Sequence, residues 1–142
     1  MMKTLILAFS LLMAHSAMSF AQCGKKVKLT GSKTTYLNGN GIEQRSVDEK
    51  SVILVNPSEV IINVDNQQKM ACTIKSATCK WTVPFKEGKT VIKAVAGKGQ
   101  GESKNVTLTI QGKKGKVTFL FEMEDRPDNI ISVAVNNFAE ED

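Results

Sequence analysis

The sequence holds a single histidine, His15, and it sits in the apolar opening stretch MMKTLILAFSLLMAHSAMSFA. The rest of the chain has none. That removes the Ser-His-Asp and Cys-His nucleophile systems and every zinc site built on imidazole. Three cysteines are too few for a zinc site made of thiolates alone, and CTIKSATC (72–79) lacks the CxxC spacing of thioredoxin-like redox pairs. Aromatic residues amount to 6% of the chain, so no aromatic-rich pocket is announced. No second apolar run of membrane-spanning length follows the first. The carboxylates Glu122, Glu124, Asp125 and Asp128 lack the D-x-[DN]-x-[DN]-G pattern of a calcium loop and are interrupted by Arg126-Pro127, so they read as a solvated acidic turn. GKGQGESK (97–104) does not meet the phosphate-loop pattern, and no helix follows it, so it reads as a hairpin tip. With no catalytic set, metal site or cofactor motif in view, the expectation is a protein that is not an enzyme.

What is present begins with an address. Residues 1–21 read as an export signal: Lys3 gives the positive start, LILAFSLLMA is too short to span a bilayer comfortably, and Ser19 and Ala21 suit cleavage after Ala21. Residues 22–142 then form one domain by length, in the periplasm or outside the cell. Cys23 lies where a lipid-modified cysteine would sit, although Gln22 stands where Gly, Ala or Ser is usual. A lipid anchor or a free thiol is therefore the alternative fate of Cys23. The formal net charge is +5. It is unevenly placed, for the chain after Phe121 carries seven acids against Arg126 alone. The lysines read as a solvated surface guarding strand edges, or else as a site for anionic partners such as lipid headgroups or polysaccharide. Nucleic acid is not expected as a partner, because no binding motif is present, and the protein is expected to be a monomer.

Periodicity gives strand after strand and no helix. Val106, Leu108 and Ile110 alternate with polar residues, as do Val117, Phe119, Phe121 and Met123. Val60, Ile62 and Val64, and then Ile131, Val133 and Val135, behave likewise. Met70, Cys72 and Ile74 form one alternating set and Cys79, Trp81 and Val83 another. Turn signals separate the runs: NGNG (38–41), NPS (56–58), DNQQ (65–68), KEGK (86–89), GKGQG (97–101), GKKG (112–115) and RPDN (126–129). The gaps are too short for parallel crossovers, so the chain is an antiparallel meander of about eight to ten strands. A meander of that length curls, and closing it abolishes exposed edges. The expected fold is all-β, a closed up-and-down barrel, with a two-sheet sandwich as the alternative.

The stretch LTGSKTTYLNGNGIEQRSVDEKSVILVNPSEVIINV (29–64) resembles the opening of lipocalin-like domains of small exported bacterial proteins. There, a first strand with a glycine leads to a hairpin bearing Asn and Gly, then to two apolar strands. The resemblance implies a barrel. Lipocalins carry Gly-x-Trp on the first strand, whereas Gly31 is followed by Ser32 and Lys33. Trp81 is the one tryptophan, so the tryptophan that plugs one end of a lipocalin barrel is not carried over from that motif.

Two functional expectations follow, from different classes. One is carriage of a small apolar ligand or lipid inside the barrel, lined by Met70, Ile74, Trp81, Val83, Phe119, Phe121 and Met123. The other is a protein-binding module, such as an exported protease or lysozyme inhibitor, probing its target with the Gln22–Lys26 terminus or the GKGQG tip. For CTIKSATC, a tight turn at Lys75-Ser76 would place Cys72 opposite Cys79 on a hairpin, within disulfide reach. A Cys72–Cys79 disulfide is therefore expected, with Cys23 left over.

Overall fold

The computed structural model describes residues 23–97 and 103–141. The stretch expected to be an export signal and most of the GKGQG tip lie outside them. Eight strands are formed: β1 (Val27–Leu37), β2 (Glu43–Val55), β3 (Glu59–Val64), β4 (Gln67–Val83), β5 (Glu87–Gly97), β6 (Ser103–Lys113), β7 (Lys116–Met123) and β8 (Arg126–Glu140). Each pairs antiparallel with its neighbours in sequence, and β8 returns to pair with β1. The meander is thus a closed barrel, and the sandwich alternative falls away.

The connections are tight for local reasons. Asp65 and Asn66 both take positive φ (49° and 66°), as do Lys114 and Gly115 (53° and 82°). Two consecutive residues in that region match the twist of the strands they join. Between β2 and β3, Asn56 Oδ1 accepts hydrogen bonds from the backbone N–H groups of Ser58 and Glu59, both at 2.8 Å. That side chain makes the turn that Pro57 alone would not close. RPDN is not a turn: the chain reverses at Glu124-Asp125, and β8 already begins at Arg126.

CTIKSATC is not a hairpin either. It lies within the single long strand β4. Facing β5, the register steps from Ile74–Ala94 to Ser76–Lys93, leaving Lys75 as the extra residue of a β-bulge. A bulge shifts the two-residue alternation by one. Met70, Cys72 and Ile74 point inward before it, and Ala77, Cys79 and Trp81 point inward after it. Cys72 and Cys79 therefore stand on one strand, separated by about 23 Å of extended chain, and cannot be joined. The disulfide is instead Cys23–Cys79, with Cα atoms 5.7 Å apart. Cys72 is the free cysteine, buried opposite Val60 and Ala96. The sulfur of Cys23 is thus taken up by Cys79, which corrects the free-thiol and lipid-anchor expectations for that residue.

The centre of the barrel is filled. Leu29, Ile53, Val60, Cys72, Ile92, Leu108 and Ile110 are buried there with Phe119. Gly31 belongs to the same layer because a Cβ on it would lie 2.5 Å from the Val133 side chain and 2.6 Å from the Ala134 carbonyl oxygen. That close approach of β1 to β8 is what the first-strand glycine is for.

Candidate functional site: one open end and one plugged end

The filled centre divides the barrel into two unlike ends. At the end holding the Asp65-Asn66 and Glu124-Asp125 turns, the side chains withdraw to leave a cavity of about 270 Å³. Its floor and walls are Phe119, Phe121, Ile62, Met70, Ile131 and Val133. These alternate inward from β3, β4, β7 and β8, so the same periodicity that builds the core builds the pocket. Tyr36, Glu49 and Lys69 stand where it opens. The guanidinium of Arg45 lies 4.2 Å from the centre of the Tyr36 ring, a cation–π contact that holds the phenol side chain at the mouth.

Two hydroxyl-bearing residues, Thr34 and Ser51, belong to this otherwise apolar lining. Both residues are buried, at 3% and 2% exposure. Thr34 Oγ1 has no hydrogen-bond partner. A hydroxyl out of water without a partner is costly, so this atom is a place where something polar is wanted.

The opposite end is closed by a plug. Trp81 packs against Phe138 with ring centroids 5.7 Å apart, and Phe85 meets the same ring edge-on at 4.7 Å. The indole fits because β5 and β6 carry glycine beneath it. A Cβ on Gly88 would come within 2.7 Å of the indole, and one on Gly112 within 2.8 Å. Trp81 Nε1 donates to Thr90 Oγ1 at 2.7 Å, so the ring's polar edge is satisfied. Beside the plug, the Cys23–Cys79 bridge ties the start of the described chain to β4. Lys25 pairs with Glu140 at 3.1 Å, and the Glu141 N–H donates to the Lys26 carbonyl. The Cys23–Lys26 segment is thereby fastened along the barrel, with Gly24, Lys25 and Lys26 exposed.

Of the residues expected to line a ligand site, Met70, Phe119 and Phe121 line the cavity. Met123 borders two neighbouring surface depressions instead. Ile74 and Trp81 belong to the plugged end, Ile74 bordering a void of about 90 Å³ under the disulfide. Val83 lies past a second register step in β4 and is 41% exposed, outside the barrel. Periodicity does not find Thr34 and Tyr36, because they follow a bulge at Ser32 that no turn residue announces. The polar threonine in the run Thr34-Thr35-Tyr36 carries no sign of which face it takes. Ser51 heads the apolar run SVILV, where alternation is silent about the face.

Among the described residues no cluster of His, Cys, Asp and Glu could hold a metal ion, and no helix is long and apolar enough to cross a membrane. No family model, curated protein or solved structure matches the chain.

Proposed function

We propose that this protein is a lipocalin-like, non-enzymatic carrier of a compact, largely apolar molecule bearing one hydrogen-bonding group. The observation that carries the reading is the cavity at the open end, lined in part by Thr34, whose buried hydroxyl has no partner. The division into a plugged end and an open one fits the lipocalin resemblance, with the plug supplied by Trp81 of β4 instead of a tryptophan after Gly31. At about 270 Å³, the space is nearly twice a cavity of ~150 Å³ that takes one benzene. Its occupant is the size of a fused bicyclic ring or a medium-length chain, not a phospholipid. Orientation follows from chemistry: the apolar body lies against Phe119, Phe121 and Ile131, and its oxygen is met by Thr34 as that side chain turns its hydroxyl toward the cavity.

The test uses two probes of nearly equal size, naphthalene and 2-naphthol, titrated into the labelled protein and followed by two-dimensional NMR. Both are expected to shift the methyl signals of Ile62, Ile131 and Val133. 2-Naphthol should bind roughly 3- to 10-fold more tightly, the effect of one added hydrogen bond, and Thr34→Val should abolish that preference. If neither probe perturbs these residues, carriage is wrong. If both bind equally to the native protein, the cavity is a site but the role of Thr34 is wrong.

A further inference from the structure

The plugged end carries a second feature that ligand carriage does not use. Lys80 on β4 stands directly opposite Lys89 on β5. Lys113 and Lys116 oppose one another across the β6–β7 turn, with Lys114 between them at its tip. Lys86, in the β4–β5 turn, brings its carbonyl against Gly112 and so joins the two turns. Six lysines are thus gathered, four on consecutive strands and two in the turns that join them, with Glu87 the one acid among them. Among the described residues none of the six is in an ion pair; the pairs formed are Lys25–Glu140 and Lys104–Asp125, elsewhere on the barrel.

Like charges placed directly opposite on paired strands are destabilising, and a surface kept merely soluble intersperses both signs. Residues 75–83 of β4 pair with β5 alone, so Lys80 guards a free stretch of edge, whereas β5, β6 and β7 each pair on both sides and offer their lysines no edge to guard. At the other end the sequence carries both signs, Glu49, Asp65, Glu124 and Asp125 with Arg45, Lys69, Lys104 and Arg126, and Lys104 pairs with Asp125 at 2.8 Å. The lysine cluster is therefore a local choice made at the plugged end.

The β4–β5 turn in this cluster is apolar. Val83 is 41% exposed, Pro84 beside it is exposed, and Phe85 follows with φ of 63°, a conformation costly for a bulky residue. The Phe85 ring is held down on Phe138, and the turn leaves Val83, opposite Glu87, and Pro84 exposed close in sequence to Lys80 and Lys86. Beside them, Gln111, Lys113, Lys114, Lys116 and Thr118 line one surface depression. Clustered ammonium groups beside an exposed apolar tip complement an anionic bilayer: headgroups for the lysines, and a shallow apolar boundary for the tip. A linear polyanion would use the lysines but has no use for Val83.

We infer that the plugged end is a docking surface for membranes containing anionic phospholipid. The lysines meet the headgroups and Val83-Pro84 enters the interface. The protein then lies with its cavity mouth turned away from the bilayer, open to the aqueous side.

The experiment is co-sedimentation of the full mature chain with vesicles of phosphatidylcholine alone or with about 30% phosphatidylglycerol. Binding is expected only to the anionic vesicles, weakening as salt is raised. The triple variant Lys86→Gln, Lys113→Gln, Lys114→Gln should bind roughly 100-fold more weakly. Val83→Asp should lose about 10-fold, while the double variant Lys33→Gln, Lys50→Gln, on strands away from the cluster, should bind like the native protein. No sedimentation with anionic vesicles at low salt overturns the proposal. So does retention on an anionic polysaccharide column together with vesicle binding that is indifferent to Val83→Asp, which would make the surface a polyanion site.

Discussion

Trp81 Nε1 donates to Thr90 Oγ1 at 2.7 Å across the β4–β5 ladder, and the same hydroxyl donates onward to Cys79 Sγ at 3.4 Å. The relationship joins the plug to the disulfide. A tryptophan is large and amphipathic, and its N–H must be satisfied when the ring is covered. Thr90, itself only 8% exposed, provides that partner. One end of the barrel is therefore closed by a ring, a hydroxyl and a covalent bond that depend on one another. The other end has no such closure.

Gly88 is the first point at which this closure can be tested. Its φ is +151°, and a Cβ there would lie 2.5 Å from Trp81 Cα and 2.4 Å from the Lys80 carbonyl oxygen. Backbone atoms cannot yield as a flexible side chain does. Gly88→Ala is expected to destabilise by about 1–3 kcal/mol, with a red shift of Trp81 fluorescence as the ring is pushed outward. An unchanged emission maximum and denaturation midpoint would show that the indole is not seated as described.

The Cys23–Cys79 bridge closes a long loop, with a sequence separation of 56. In the chain-entropy description, a loop of that length stabilises by about 4 kcal/mol. Cys79→Ser and Cys23→Ser should each lower stability by an amount of that order, and reducing agent should affect the native protein but neither variant. Peptide mapping without reduction should recover a fragment joining Cys23 to Cys79. A fragment joining Cys72 to either would contradict the fold at β4.

Much of the fold is legible because a closed meander asks little of a sequence beyond alternation and turns. Val106-Leu108-Ile110 and Val117-Phe119-Phe121 are strands at a glance, and Asp65-Asn66 and Lys114-Gly115 are hairpins by composition. β4 misleads for a physical reason: a hairpin and a β-bulge produce the same break in alternation. Ile74 to Ala77 shows the break, and nothing in Lys75-Ser76 says whether the chain reverses or merely adds a residue. The mistaken Cys72–Cys79 pairing follows directly. The cavity is half legible, since periodicity finds Met70, Phe119 and Phe121. Its hydroxyl is not, because the register step at Ser32 decides that Thr34, and not Thr35, faces inward. The plug glycines, Gly88 and Gly112, look like turn residues when their purpose is room for an indole.

Cys72 offers a pH-dependent check. Burial raises its thiol from an ordinary 9.0 to about 11. In the unfolded chain the thiol ionises near 9, while in the folded barrel it stays protonated. Between these values the unfolded state therefore binds fewer protons, and stability falls as pH rises. The loss is at most about 1.4 kcal/mol per pH unit across that window, and Cys72→Ala should flatten this slope relative to the native protein. Alkylation of the native protein at neutral pH should be slow, because the thiolate is scarce and covered. Rapid modification without unfolding would place Cys72 outside the core.

Thr34 gives the most direct test of what an unpaired hydroxyl in the cavity wall costs. The group is buried and unpartnered, and valine has nearly its shape without the polar atom. Removing a desolvated, unsatisfied group relieves a penalty of about 1–3 kcal/mol, so Thr34→Val should raise the urea midpoint of the ligand-free protein with little change in slope. Substitutions of this kind normally destabilise when the hydroxyl already has a partner, so the sign of the shift is the informative quantity. Saturation with 2-naphthol should then stabilise the native barrel more than the variant, narrowing the gap between them. A lowered midpoint for Thr34→Val would mean that the hydroxyl is paired in solution, and the polar end of the carried molecule would have to be sought at the mouth, beside Tyr36 and Arg45.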